Sequence, residues 1–344
     1  MYRGNIKTKK GGREKMKFLQ VGLGSMGKRR IRCLKKMGYN DITAFELRED
    51  RRKEAEEKYG VKTTGDLKEI DFNEIDAIII STPPDKHDIY IELAIEKKKP
   101  AFIEASVVLG RLEKLDKAAK DAKVLIAPSC TLRYHAAIKD IIRIVKSKEY
   151  GKVTNFTFHS GQYLPDWHPY ENVKEYYVSK KETGAAREIV PFELSWIVDI
   201  TGFPKRVKGF NGKTMNVGAD IDDTYAMAMQ FDNGVYGIMQ VDVVSRYATR
   251  NLILNMEYGQ ILWRWDENVV KLYDAKNTRW INYCYSIGQA AEGYNKNITE
   301  DMYVDELKAF IEAAKKKDKF PNTLEEDIAV LKVLESVEND NDKK

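Results

Sequence analysis

The sequence predicts an α/β Rossmann domain followed by an α+β C-terminal domain with an open, mainly antiparallel sheet. Three observations carry this expectation. Apolar strand-like runs alternate with charged amphipathic stretches from residue 17 to about residue 128, as in a parallel sheet covered by helices. The first run leads into Val21-Gly22-Leu23-Gly24-Ser25-Met26-Gly27, which sets glycines at G-x-G-x-x-G spacing between a strand and a helix. Beyond residue 147 the chain turns β-rich, with turns such as Asp232-Asn233-Gly234, whose Asn-Gly pair favours a hairpin.

The elements follow in order. Strands are expected at 17–21, 42–46, 77–81, 101–104 and 124–127, with helices at 28–37, 49–59, 88–97, 112–121 and 136–147. The later strands are 152–160, 225–231, 235–244, 251–257 and 260–265, and amphipathic helices at 302–315 and 324–337 close the chain. The resulting organisation is an extension over 1–15, a dinucleotide-binding domain over 16–135, a substrate and oligomerisation domain over 136–338, and a polar tail over 339–344. The extension lacks the apolar core of a signal peptide, and Met16 is an alternative start.

The first glycine turn carries most of the chemistry. Gly22 permits the tight turn, Gly24 lets backbone approach a pyrophosphate, and Gly27 lets helix and strand pack closely. Ser25 and Met26 lie where free helix N–H groups and the helix dipole hold phosphates. Glu46 ends the second strand nineteen residues after Gly27, where such units place a carboxylate on the adenosine ribose. A carboxylate there repels a 2′-phosphate and favours NAD. Arg48, Arg51 and Arg52 follow closely; they either accommodate NADP or form a solvated helix face.

Composition narrows the classes. The 344 residues are 43% hydrophobic and 32% charged, with a net charge of +5, the balance of an ordinary globular chain of about two domains. Basic residues are spread along the chain, so no nucleic-acid footprint is expected. Cys33, Cys130 and Cys284 are few and far apart, which points to reduced thiols in the cytoplasm. No apolar stretch is long enough to span a membrane. The histidines His87, His135, His159 and His168 show no ligand spacing with cysteines or acids, so no metal is expected.

Together, the glycine turn, Ser81-Thr82-Pro83-Pro84-Asp85-Lys86-His87, Leu132-Arg133-Tyr134-His135 and the hairpin around Phe231-Asp232-Asn233-Gly234 carry a resemblance. From about residue 16 to 337 the chain resembles the glucose–fructose oxidoreductase, inositol dehydrogenase and rhizopine-catabolism (Gfo/Idh/MocA) family. The resemblance implies NAD(P)-dependent hydride transfer at a carbinol of a sugar or polyol, and oligomerisation through the outer face of the C-terminal sheet. A homodimer or homotetramer is therefore expected. It also implies that Ser81, Thr82, Pro83, His87 and Glu104 complete the cofactor site.

Two departures stand out. The family's Glu-Lys-Pro is Glu104-Ala105-Ser106 here, and the usual catalytic histidine falls at Phe192. Neither alanine nor phenylalanine moves a proton, so another group must do so. Glu188, after the turn Gly184-Ala185-Ala186, is one candidate; its alternative is an ion pair with Arg187 or a neighbour. His168 is the second, within Gln162-Tyr163-Leu164-Pro165-Asp166-Trp167-His168, and Glu104 is the third, as an orienting group. Gln162, Asp166, Trp167 and His168 are expected to line the substrate, or else to pack over the sheet. Similar Tyr-Leu-Pro-Asp-Trp segments occur in relatives tied to acidic or nucleotide-linked surface sugars. Arg133 and His135 are expected at the mouth of the site and Arg187 among the substrate-binding residues, with Arg133 either clamping an anion or bridging domains. Besides a dehydrogenase, the departures admit an NAD-retaining eliminase or glycosidase-like enzyme, or a sugar or nucleotide sensor without catalysis.

Overall fold

The computed structural model describes residues 15–167, 172–286 and 300–341. Most of the expected extension, the whole of His168 and residues 342–344 lie outside these ranges.

The first half alternates strand and helix: β1 (Phe18–Val21), α1 (Ser25–Lys36), β2 (Ile42–Phe45), α2 (Glu49–Tyr59), β3 (Lys62–Thr64), β4 (Ala77–Ile80), α3 (His87–Glu96), β5 (Ala101–Ile103), α4 (Leu112–Ala122), β6 (Ile126–Pro128) and α5 (Ala136–Ser147). The six strands are parallel, in the order β3-β2-β1-β4-β5-β6. Every residue of β1, β4, β5 and β6 is buried, because helices cover both faces. The strand order reverses between β1 and β4. Ligands bind at this switch point, outside the carboxyl ends of the strands.

The second half adds β7 (Val153–Tyr163), α6 (Ala185–Thr201), β8 (Pro204–Gly212), β9 (Thr224–Phe231), β10 (Tyr236–Asp242), β11 (Val244–Met256), β12 (Gly259–Arg264), β13 (Val269–Asp274) and β14 (Arg279–Cys284). They form one sheet in the order β14-β13-β12-β11-β7-β10-β9-β8, antiparallel except where β10 runs parallel to β7. Phe156, Phe158, Met227, Met239, Leu252 and Leu254 alternate onto a buried face, where Trp196 of α6 stacks edge-on against Phe158. Phe210, Tyr236, Ile238 and Ile253 are exposed.

The chain then supplies α7 (Glu300–Ala314) and α8 (Leu324–Asn341). Here the expected domain limits need correction. Helix α7 follows the second sheet in sequence, yet its Met302, Tyr303, Leu307, Phe310 and Ile311 join Phe18, Ile31, Leu34 and Phe102 in the core of the first domain. Apolar spacing showed that α7 buries a face but not which partner it buries against. Helix α8 also extends past residue 337 into the segment expected to be a polar tail. Among the described residues, no helix is long and apolar enough to cross a membrane.

Candidate active site

The glycine turn has the form that a dinucleotide needs. Gly22 adopts φ of +87°, and a Cβ there would lie 2.6 Å from the Ser81 carbonyl oxygen. A Cβ on Gly27 would collide with the Gly22 carbonyl, so this helix can begin so close to the strand only with glycine. Over Gly24 the space is open; the nearest group is Arg51 Nη1, 3.8 Å from a built Cβ. Glu46 is fixed beside this turn, accepting from the backbone N–H of Leu23 at 2.9 Å and of Arg48 at 3.0 Å. The open cradle and the tethered carboxylate fit a nicotinamide dinucleotide. Arg48 pairs with Asp50, and Arg52 donates to the carbonyls of Glu46 and Leu47 at 2.7 and 2.8 Å. Arg51 lies 3.8 Å from Glu46.

Across the switch point, Ser81 follows β4 and Glu104 follows β5. Ser81 Oγ donates to Glu104 at 3.0 Å, and Arg30 grips both Glu104 oxygens at 2.7 and 2.8 Å. Arg30 also donates to Glu306 of α7 at 2.8 Å; its side chain and that of Glu306 are wholly buried. Ser129 Oγ, Thr131 Oγ1 and the Cys130 N–H donate to the same Glu306 carboxylate. Glu104 is therefore held in a guanidinium fork, an arrangement suited to fixing position rather than to carrying a proton. His87 is buried at the start of α3, with Nε2 3.0 Å from the Thr82 carbonyl. Burial pushes its pKa down, so the ring is neutral and Nε2–H donates to that carbonyl.

Glu188 stands in the first turn of α6, where its backbone N–H donates to the Gly184 carbonyl at 2.8 Å. Its expected alternative, a pair with Arg187, is not what the fold builds. Arg187 turns to Glu338 of α8 at 2.7 and 3.0 Å and to the backbone carbonyls of Val107 and Glu182. Glu188 instead accepts from Tyr177 Oη at 3.0 and 2.9 Å. Burial raises its pKa to about 7, the Tyr177 hydrogen bond opposes the rise, and the Glu104 charge adds to it. The loop bearing Tyr177 is tied to the first domain by Lys180, which donates to Asp85 at 3.2 Å.

Three residues expected to meet substrate are engaged elsewhere. Arg133 donates to the Ser195 carbonyl at 2.9 Å and to the Pro321 carbonyl, and pairs with Asp199 at 2.9 Å; it ties α6 to the segment before α8. His135 caps α5 through Nδ1, which accepts from the Ala137 N–H at 3.2 Å, and packs against Trp263 and Tyr285. Burial lowers its pKa to about 4, so it stays neutral. Arg187 is held by Glu338 as described. The two arginines give their donors to internal carboxylates and carbonyls, most of them distant in sequence, whereas His135 accepts at a helix start and packs between rings.

The proline-rich segment follows β7. Leu164–Asp166 forms a 3-10 turn, Gln162 is half-buried and Asp166 is exposed. The Trp167 indole N–H is buried and has no hydrogen-bond acceptor among the described residues. Arg246 stacks over the Tyr163 ring at 3.9 Å, from a stretch where β11 slips register against β7. The sequence offered no signal for Tyr177, Arg30 or Glu306, nor for buried Glu193, which accepts from Ser160, Trp196 and Arg250 at 2.9, 2.9 and 2.7 Å.

Comparison with known proteins decides the kinship. Residues 16–128 match the oxidoreductase family with NAD-binding Rossmann fold, and residues 138–262 match the GFO/IDH/MocA C-terminal domain. The chain belongs to the Gfo/Idh/MocA family. Its first domain is the NAD-binding Rossmann fold of that family, and the protein is an NAD(P)-dependent oxidoreductase. No curated protein sequence matches the chain significantly. Among solved structures it is similar to an oxidoreductase from Agrobacterium radiobacter in complex with NAD+, L-tartaric acid and magnesium. That pair shares 14% identity and a TM-score of 0.83 over 96% of this chain and 97% of the other. Levoglucosan dehydrogenase with NADH and levoglucosan gives 15%, 0.80, 96% and 98%. UDP-N-acetylglucosamine 3-dehydrogenase from Acidithiobacillus ferrooxidans gives 15%, 0.78, 95% and 98%. At these identities the likeness is one of fold. Within the Gfo/Idh/MocA frame, Ala105 sits next to the fork-bound Glu104, and Phe192 packs on the core.

Proposed function

We propose that the protein oxidises or reduces a carbinol of a sugar or sugar derivative, with Glu188 as the group that exchanges the hydroxyl proton. The observation that carries this is the half-buried Glu188, its pKa raised to about 7, beside the loop tied to the first domain just past β4. A general base works best when it titrates near working pH, and the positions that the family resemblance gives to a lysine and a histidine align here with Ala105 and Phe192, neither of which moves a proton.

When bound, the nicotinamide accepts or donates a hydride; the chain's own task is the proton. In oxidation, a Glu188 carboxylate oxygen accepts the proton from the carbinol oxygen. In reduction, the protonated carboxyl returns it. Gly22, Gly24, Ser25, Met26 and Gly27 would hold the pyrophosphate, and Glu46 the adenosine ribose, which favours NAD over NADP. Ser81, Thr82, Pro83 and His87 would border the nicotinamide half, with Glu104 as the fixed wall that Arg30 orients. Trp167, whose buried N–H has no acceptor among the described residues, suits a sugar oxygen; Gln162 and Asp166 flank it on the same segment. His168 is proposed beside them on sequence grounds alone. The exposed, partly apolar face of the second sheet suits a homodimer or homotetramer.

The experiment is direct. Levoglucosan, UDP-N-acetylglucosamine and a set of uronic acids, each deuterated at the candidate carbinol carbon, are incubated with the protein and NAD. Deuterium in the recovered reduced cofactor is the expected result. A protein that binds NAD and a sugar yet transfers no label to cofactor, and takes no solvent deuterium into recovered sugar, refutes the reading.

A further inference from the structure

The geometry points to Tyr177 as a positioning residue for this reaction: its phenol, bridging both Glu188 oxygens at 3.0 and 2.9 Å, fixes the carboxylate and governs its proton affinity. The inference rests on Glu188 being the proton acceptor proposed above.

A carboxylate offers about four lone-pair directions. One phenol shared between its two oxygens holds the plane of the group and leaves the remaining directions open to a substrate hydroxyl. The phenol is itself held. The Thr183 hydroxyl donates to the Tyr177 carbonyl at 2.5 Å, and the Tyr176 ring packs edge-on at 6.2 Å. Burial and the neighbouring Glu188 push the Tyr177 pKa well above its usual value, so the proton stays on the phenol and Tyr177 donates.

The surrounding charges make this hydrogen bond decisive. Glu104, at the end of β5, opposes ionisation of Glu188, and its own charge is matched by Arg30. Arg187, the adjacent residue of α6, is turned to Glu338 of α8. On the preceding loop Lys180 is held by Asp85, while the Lys181 and Glu182 side chains are exposed. Arg133, from the turn packed on α6, is paired with Asp199. No cation among these touches Glu188, so the Tyr177 phenol is the group that favours the charged form.

Substrate is not needed for the test. Protein labelled with 13C at glutamate carboxyls is titrated by NMR, and the Glu188 signal is the one lost in Glu188→Gln. In Tyr177→Phe the midpoint should rise by about one pH unit, the size of a lost hydrogen bond to a charged group. Site-specific 3-fluorotyrosine at 177 keeps the bond with a more acidic phenol, so the midpoint should fall. That near-isosteric protein also carries the test if Tyr177→Phe does not fold. Once a sugar substrate is found, the acidic limb of kcat should move the same way while KM changes less. A midpoint unmoved by either substitution overturns the role of Tyr177. Undiminished turnover in Glu188→Gln overturns the Glu188 reading instead, so the two failures are separable.

Discussion

Replacing Glu188 with glutamine should make the protein more stable at neutral pH and a poorer catalyst. The carboxyl pKa rises from 4.5 to about 7 in the folded chain. Each tenfold change in proton affinity corresponds to about 1.4 kcal/mol, so charging Glu188 in the folded state costs on the order of 3–4 kcal/mol at most. Below pH 4.5 the group is protonated in both folded and unfolded chains, and stability is intact. Between pH 4.5 and 7 the unfolded chain releases the proton while the folded chain keeps it, so stability falls as pH rises. Above pH 7 both forms are charged and the loss is complete. Glutamine does not titrate, and its amide oxygen still accepts from Tyr177. Urea denaturation of both proteins at pH 4.5 and pH 8 should therefore show a smaller decline in the variant, by up to ~3 kcal/mol. Turnover on an identified sugar should fall by ~10²-fold or more, the scale of a general acid–base residue. Stability curves that run parallel in the two proteins, or a variant with normal turnover, would refute the reasoning.

Gly24→Val should leave the fold intact, because the space above Gly24 is open, yet abolish NAD(H) binding in calorimetry; unchanged binding would remove the pyrophosphate assignment. Glu46→Ala should weaken NAD more than NADP, and the opposite ranking would make the neighbouring arginines the ribose readers. Arg30→Met leaves Glu104 and Glu306 without their guanidinium, at a cost of about 3–5 kcal/mol in urea unfolding; a loss below ~1 kcal/mol would show the cluster to be redundant. Light scattering at micromolar concentration should report a dimer or tetramer, and a monomer would leave Phe210, Tyr236, Ile238 and Ile253 without the proposed cover.

Local chemistry made much of the fold legible. The glycine turn announces itself because Gly22 and Gly27 answer steric demands from atoms close by. Helix α2 ends where expected because Gly60 takes the left-handed conformation after it. Edge strand β3 is only Lys-Thr-Thr, and β8 is rich in lysine and glycine; neither presents an apolar run. Helix α6 also has no one-sided pattern: it is buried on most sides and contains Pro191. The candidate site divides the same way. Glu188 was recognisable as an acid after a small-residue turn. Bridging by Arg133 was one of two sequence alternatives, but the partners that engage Arg133, His135 and Arg187 were not legible, because Asp199, Trp263 and Glu338 lie far along the chain. Tyr177 is one tyrosine among 19 and acquires its meaning only from the carboxylate it faces.

The return of α7 to the first domain has a consequence for biosynthesis. Phe102 packs against Phe310, and Arg30 needs Glu306, so the nucleotide-binding half lacks part of its interior until more than 300 residues have been made. Domains generally fold as units, the N-terminal one first as the chain leaves the ribosome. Here the first domain to emerge waits, with Phe18, Ile31 and Phe102 short of partners, while the whole second sheet is synthesised. A nascent chain stalled before Glu300 should therefore be protease-sensitive in its Rossmann half, and a fragment cut near residue 135 should need α7 supplied in trans to become compact.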